Sequence, residues 1–282
     1  MKYIDLHVHS NFSDGTYTPT ELVKYASQKG LAAFALTDHD TTAGLEEALE
    51  AARGTTVEVI SGIEFSTEFQ GQDIHILGLD FDHTASSFQR QVIRFRDSRD
   101  LRNRKMIARL AKEEIDISWD SMMDTFGETV WTRAHFARYL MEHGYVSEMN
   151  EAFRRFIGDQ APCFIPREKV TPAQAVRLIR QTNGIPVLAH PLLYRLSDEN
   201  MDTLLQALIP AGLLGIEAIY STHKGFDESF VRRLARKNHL CICGGSDFHG
   251  NNKSEIDLGV GRGNLKIPYD IIKQLRDARR NL

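Results

Sequence analysis

Ile4-Asp5-Leu6-His7-Val8-His9-Ser10, followed by Asp14, is the stretch from which the fold is read. Written as a β-strand, it sends Ile4, Leu6 and Val8 to one side and Asp5, His7 and His9 to the other, because strand side chains alternate. Two imidazoles then share a face, with Cα atoms roughly 6–7 Å apart, so both reach one metal ion. Asp14, just past the strand in a Ser-Asp-Gly turn, brings a carboxylate to the same rim. Two polar strand residues that happen to be histidines would look the same in isolation. The other histidines decide between the readings.

Working outward, Thr18-Pro19-Thr20-Glu21 is a capping box with proline at the first helical position, so a helix is expected from there to Gly30. A short apolar strand, 32–37, runs into Thr37-Asp38-His39-Asp40. A helix over 42–53 precedes a strand over 57–61, which leads into Gly62-Ile63-Glu64. A hairpin around Gln70-Gly71 then carries His75 on its second arm. After Thr171-Pro172-Ala173-Gln174, a second capping box, the alternation resumes. Its strands run into His190-Pro191, Tyr220 and finally Gly244-Gly245-Ser246-Asp247-Phe248-His249. Between 86 and 167 only helical patterns occur, the first crowded with Arg90, Arg94, Arg96, Arg99, Arg102, Arg104 and Arg109.

About seven strands alternating with helices predict an α/β, barrel-like and largely parallel arrangement in which strand ends face one mouth. The expected division is a catalytic barrel from residues 1–85 and 168–282, with 86–167 as a helical insertion.

A chain of 282 residues with 42% hydrophobic and 26% charged residues matches a globular protein. Its net charge of −4 argues against a general nucleic-acid coat. No apolar run has the length of a membrane span and the opening residues carry no signal-peptide pattern, so a cytoplasmic location is expected. Three cysteines, Cys163, Cys241 and Cys243, do not make a disulfide framework. Cys241 and Cys243 share a strand face and read as core residues.

Set side by side, His7, His9, Asp14, His39, Glu64, His75, His190, Asp247 and His249 form a mixed nitrogen and oxygen ligand set. Nine ligands are too many for one ion, whereas two or three divalent cations would share them. The positive charge left over suits a hydroxide and a dianionic phosphate, which points to phosphate monoesters.

The ordered set His7-x-His9, Asp14, Thr37-Asp38-His39-Asp40, Gly62-Ile63-Glu64, His75, His190-Pro191 and Gly245-Ser246-Asp247-Phe248-His249 resembles the PHP family, named for polymerase and histidinol phosphatase domains. The resemblance covers nearly the whole chain. It implies a distorted (β/α)7 barrel holding manganese, iron or zinc in a trinuclear site and hydrolysing phosphoesters with a metal-bridging hydroxide. By position, it implies His7, His9, Glu64 and Asp247 around a first ion, Glu64, His75 and His190 around a second, and Asp14, His39 and His249 around a third.

The insertion and its Thr132-Arg133-Ala134-His135 stretch are similar to the branch of 3′,5′-nucleoside bisphosphate phosphatases and 5′-to-3′ exoribonucleases. Removal of the 3′-phosphate from a nucleoside bisphosphate such as 3′-phosphoadenosine 5′-phosphate is therefore the leading expectation. The alternatives are exonuclease action on short single-stranded RNA, a histidinol-phosphate-type phosphatase, and an inert nucleotide-binding module. No protein partner is indicated. Arg133, His135, Arg167 and Lys224 are candidates for binding a second phosphate, because guanidinium forks match phosphate oxygens. Asp38 and His223 are candidates for protonating the leaving oxygen.

Overall fold

The computed structural model describes residues 2–166 and 170–280. Seven strands form one sheet in chain order: β1 (Ile4–Val8), β2 (Ala33–Leu36), β3 (Glu58–Phe69), β4 (Gln72–Leu79), β5 (Ile185–Leu188), β6 (Gly215–Tyr220) and β7 (Cys241–Gly245). Closure into a barrel comes from the chain beyond β7 meeting β1. Asp247 N–H donates to His7 O at 2.9 Å, and His9 N–H donates to Phe248 O at 2.9 Å. Buried Asp5 reinforces the seam by accepting from Ser246 N–H and Gly259 N–H, each at 2.8 Å. The alternation of the opening strand thus positions its histidines and also supplies the carboxylate that joins first strand to last.

The helices of the first half are α1 (Pro19–Gln28) and α2 (Leu45–Ala52). The α1 cap is reciprocal: the Glu21 N–H donates to Thr18 Oγ1, and the Glu21 carboxylate accepts from the Thr18 N–H. Of the expected helix over 42–53 only 45–52 forms, since Thr41 and Thr42 remain in the loop that presents His39.

The largely parallel arrangement needs refinement at β4, which runs antiparallel to both β3 and β5. The reason lies in the turn. Phe69 pairs with Gln72 across Gln70-Gly71, and both turn residues have positive φ, 52° and 82°. That is a two-residue hairpin, far too short for a parallel crossover.

Between β4 and β5 the described residues contribute helices and no strand: α3 (Ser86–Lys112), α4 (Trp119–Phe126), α5 (Arg133–Glu142) and α6 (Met149–Ala152), the last running into a π-turn at Phe153–Ile157. They enclose their own apolar cluster, including Met106, Leu110, Trp131, Phe136, Leu140 and Ile157. The second half adds α7 (Pro172–Gln181), α8 (Asp198–Leu208), α9 (Asp227–Lys237) and α10 (Asp270–Arg280).

Helix α10 was not read from the sequence. Its Arg276 meets Glu58 at 2.7 Å and Asp80 at 3.0 Å, tying the end of the chain to β3 and the close of β4. Cys243 is buried in the core and Cys241 packs against it; all three cysteines are free. Among the described residues no helix is long and apolar enough to cross a membrane.

Candidate metal centre

Glu64 lies within β3, which overshoots the barrel as a hairpin arm. Its carboxylate is 1% exposed and sits inside a ring of imidazoles. His7 Nε2 and His9 Nε2 approach Oε2 at 3.1 Å each, and His39 Nδ1 approaches it at 3.3 Å. His75 Nδ1 and His190 Nε2 approach Oε1 at 2.8 and 3.1 Å. The rings close on themselves, since centroids are 5.1 Å apart for His7–His9, 4.7 Å for His9–His39, 5.2 Å for His39–His75, 5.2 Å for His75–His190 and 5.6 Å for His190–His7. His249 stacks on His9 at 4.2 Å.

Three overlapping groups emerge in which every donor atom lies within 4.8 Å of the others: His7, His9, Glu64 and Asp247; His9, Asp14, His39 and His249; and His39, Glu64 and His75. His190 joins through the Glu64 oxygen that it shares with His75. All nine ligand-type residues singled out in the sequence thus meet in one place.

The backbone is bent to deliver them. Asp40, His190 and Asp247 all have positive φ, at 51°, 23° and 59°, a conformation Asp and His adopt more readily than most residues. Gly245 lets β7 lie against β1: a Cβ there would stand 2.2 Å from His7 Cβ.

Burial and charge act against each other here. Desolvation favours the neutral acid for Glu64, Asp14 and Asp247, yet the surrounding imidazoles hold Glu64 and Asp14, and Lys253 ahead of the imidazoles holds Asp247, well below the usual carboxylate range. Burial also works to lower His7 and His9. For His7 the Glu64, Glu217 and Asp247 carboxylates override it and hold the pKa well above the normal imidazole value. For His9 the nearby Asp247 and Glu64 carboxylates raise it to about 9. His39 is pushed well below its ordinary value by burial, and His249 is lowered by burial and by Lys253.

Imidazoles this close cannot all carry protons, whereas cations among them would use the lone pairs. The residues present fit such ions. His9 Nε2 and Asp14 Oδ1 are buried without hydrogen-bond partners, a costly state that coordination relieves, and the donors are the imidazoles and carboxylates that divalent transition metals prefer.

The centre forms the floor of a cavity of about 550 Å³ that the helices between β4 and β5 help to wall. Arg133 lines it, but its guanidinium is already paired with Asp73 at 3.0 Å and Asp159 at 2.6 Å. His135 does not line it. Its Nδ1 accepts from the Thr132 N–H at 3.0 Å as part of the α5 cap, and burial lowers its pKa to about 4. Lys224 is exposed in the turn before α9 and does not itself line the cavity.

Asp38 and His223 also lie off the lining. The Asp38 oxygens accept from Ser10 N–H, Ser10 Oγ and Ser13 Oγ at 2.8, 2.6 and 2.6 Å, which fixes the loop after β1. His223 Nδ1 donates to Ala218 O at 2.9 Å. Arg167 lies outside the described residues.

Sequence reading missed the groups that hold the ligands. Tyr220 Oη and Lys253 Nζ occupy Asp247 Oδ2 at 2.7 and 2.6 Å, leaving Oδ1 toward His7 and His9. Thr132 Oγ1 donates to Asp14 Oδ2 at 2.8 Å, so the cap of α5 also orients a carboxylate of the centre. Arg99, buried on α3, donates through Nε to Asp40 Oδ2 at 2.8 Å and points its helix into the cavity. Only Glu217, a charge inside the apolar run Gly215-Ile216-Glu217-Ala218-Ile219, gave a signal that could have been used.

Comparison with known proteins agrees with this geometry. The family model described as the PHP domain matches residues 5–166. The chain is 36% identical over 248 residues to a 5′-3′ exoribonuclease of Haemophilus influenzae, covering 88% of this chain and 90% of that one. It is 33% identical over 260 residues to a 3′,5′-nucleoside bisphosphate phosphatase of Chromobacterium violaceum, covering 92% and 91%. The crystal structure of a protein from Bifidobacterium adolescentis, assigned by inference as a metal-dependent phosphoesterase, superposes with a TM-score of 0.85 at 28% identity over 98% of this chain and 96% of that chain. With a family match over more than half its length and relatives that align almost end to end, the chain belongs to the PHP domain family and is a metal-dependent hydrolase of phosphoester bonds.

Proposed function

We propose that the protein removes the 3′-phosphate from nucleoside 3′,5′-bisphosphates, with residues 1–85 and 168–282 as the catalytic barrel and 86–167 as a cap over it. The observation that carries this reading is the composition of the cavity over the centre. Seven residues of the centre, all but His7 and His9, line its floor, and its cap-side wall includes Arg99, Arg102 and Arg133. A substrate with two phosphates on one nucleoside places one at each end, and a cavity of about 550 Å³ falls in the range of small-molecule sites. The relative from Chromobacterium violaceum bears the corresponding name.

His7, His9, Glu64 and Asp247 would hold one divalent ion, Glu64, His75 and His190 a second, and Asp14, His39 and His249 a third. Such ions, when bound, acidify water and offset charge on phosphoryl oxygens. The chain's own part is to orient and to exclude water. Arg133, held by Asp73 and Asp159, presents a fixed guanidinium to the distal phosphate. Lys253 lines the cavity beside Asp247 and adds positive charge at the phosphate being transferred.

A second reading, 5′-to-3′ exonuclease action on short RNA, is favoured by one feature. Helix α3 turns Arg90, Arg94 and Lys112 to solvent on the same helix that carries Arg99 and Arg102 into the cavity, a charged track along which an RNA strand could lie. Rates with manganese on a nucleoside 3′,5′-bisphosphate, a nucleoside 5′-monophosphate and a 5′-phosphorylated trinucleotide separate the two. The proposal expects the bisphosphate to release inorganic phosphate fastest, by at least about tenfold over the monophosphate, a difference of about 1.4 kcal/mol in transition-state binding. Faster release of mononucleotides from the trinucleotide would overturn it in favour of the RNA reading.

A further inference from the structure

Glu217, in the middle of β6, is completely buried and, among the described residues, forms no ion pair with a lysine or arginine. Each of its oxygens is instead committed to a different part of the metal centre. Oε1 lies 3.1 Å from His7 Nδ1. Oε2 accepts from the backbone N–H of His190 at 2.8 Å. His7 and His190 come from strands that are not neighbours in the sheet, β1 and the end of β5, and their Nε2 atoms face the two different oxygens of Glu64.

We infer that Glu217 is a positioning residue that assembles two of the proposed ion sites at once, by fixing the His7 tautomer and by holding the bent His190 backbone in place. The inference rests on the metal-centre reading given above.

The first half follows from hydrogen-bond chemistry. A carboxylate only accepts, so a bond between His7 Nδ1 and Glu217 requires a proton on Nδ1, and in the neutral imidazole that can ligate a cation the free lone pair is then on Nε2. Nε2 is the nitrogen that faces Glu64 Oε2 at 3.1 Å and Asp247 Oδ1 at 3.5 Å, where an ion would sit. The second half follows from backbone geometry. His190 has φ 23° and ψ 59°, outside the regions L-residues prefer, and such a conformation persists only when surrounding contacts determine it. The Glu217 bond to the His190 N–H is such a contact, and it turns the imidazole toward Glu64. Carboxylates behind metal-bound histidines commonly act in this manner, and one that serves two histidines of two sites makes those sites interdependent.

Glu217→Gln tests this in the full-length chain. The His190 N–H needs an acceptor, so the amide oxygen turns to it and the amide NH2 turns to His7. His7 then accepts at Nδ1 and carries its proton on Nε2, where the ion should bind. Chelator-stripped wild type and variant are titrated with Mn2+ and free Mn2+ is followed by electron paramagnetic resonance, with apo-protein melting temperatures measured alongside. The expected result is an apo melting temperature close to wild type with Mn2+ binding weakened by on the order of 10–100-fold for the ions at His7 and His190. The sites share the loss, so both weaken together. Binding within twofold of wild type in a folded variant would overturn the inference and leave the metal centre standing. A wild-type chain that takes up no Mn2+ would overturn both. Should the variant not fold, the wild type decides: with Zn2+ bound, the 15N spectrum must show His7 protonated at Nδ1, and a His7 protonated at Nε2 refutes the inference.

Discussion

Glu64→Gln should abolish nearly all turnover while leaving the chain folded. Glutamine has the shape of glutamate, so packing in β3 is kept, but the charge shared by five imidazoles is gone and one of its oxygens becomes a donor facing them. The loss falls on two of the three donor groups, since Glu64 is common to both. Metal-ion stabilisation of phosphoryl transfer amounts to several kcal/mol, so kcat should drop by about a hundredfold or more, with Mn2+ binding weakened in parallel. Steady-state rates at saturating Mn2+ check this. A variant within tenfold of wild type would show that Glu64 does not bridge the centre.

Gly245→Ala should be the most destabilising single methyl addition near the site. The new Cβ would meet His7 at its Cβ, N and Cα, at 2.2, 2.7 and 2.9 Å. These are main-chain and near-main-chain atoms of β1, which cannot swing aside as a flexible side chain would, so the β7–β1 seam must open. Overpacking of this kind costs on the order of 3 kcal/mol, which corresponds to roughly 6–12 °C in melting temperature for a chain of this size. Because His7 moves with β1, Mn2+ binding should weaken as well. Thermal unfolding of the apo chain reads the first effect, and a melting temperature within about 1 °C of wild type would mean that the seam is not close-packed as described.

The parts of this molecule that the sequence displayed and the parts it hid differ for physical reasons. His7, His9, His39, His190, Asp247 and His249 lie at or just beyond strand ends, where the chain leaves the sheet and side chains face the mouth, so strand periodicity followed by a ligand-type residue located them. Glu64 and His75 are different. They sit inside the two arms of the β3–β4 hairpin, and His75 faces the mouth because β4 runs the other way, so its first half lies at the end where the parallel strands finish. Their residue types gave them away, and the hairpin read around Gln70-Gly71 already implied the reversed direction of β4.

The supporting groups were harder to see. Tyr220, Thr132, Arg99 and Lys253 act through contacts between residues distant in the chain, and each has an ordinary reading in its own segment: a strand tyrosine, a helix cap, one arginine of a basic helix, a loop lysine. Thr132 does cap α5, and its second bond, to Asp14, is invisible without the fold. The same holds for Asp38, His135 and His223, whose residue types suggested chemistry. In the fold, a loop anchor holds the Asp38 carboxylate, a helix cap takes His135 Nδ1 and a strand-end bond takes His223 Nδ1, while His223 Nε2 is buried without a hydrogen-bond partner.

All of this depends on cations drawing six imidazoles and three carboxylates from separate strands into one cluster. Elemental analysis of the chain purified with manganese present, and freed of loosely bound ions by gel filtration, addresses that directly. The account predicts more than one ion per chain, with the three donor groups setting the ceiling; fewer than one ion per chain would contradict it.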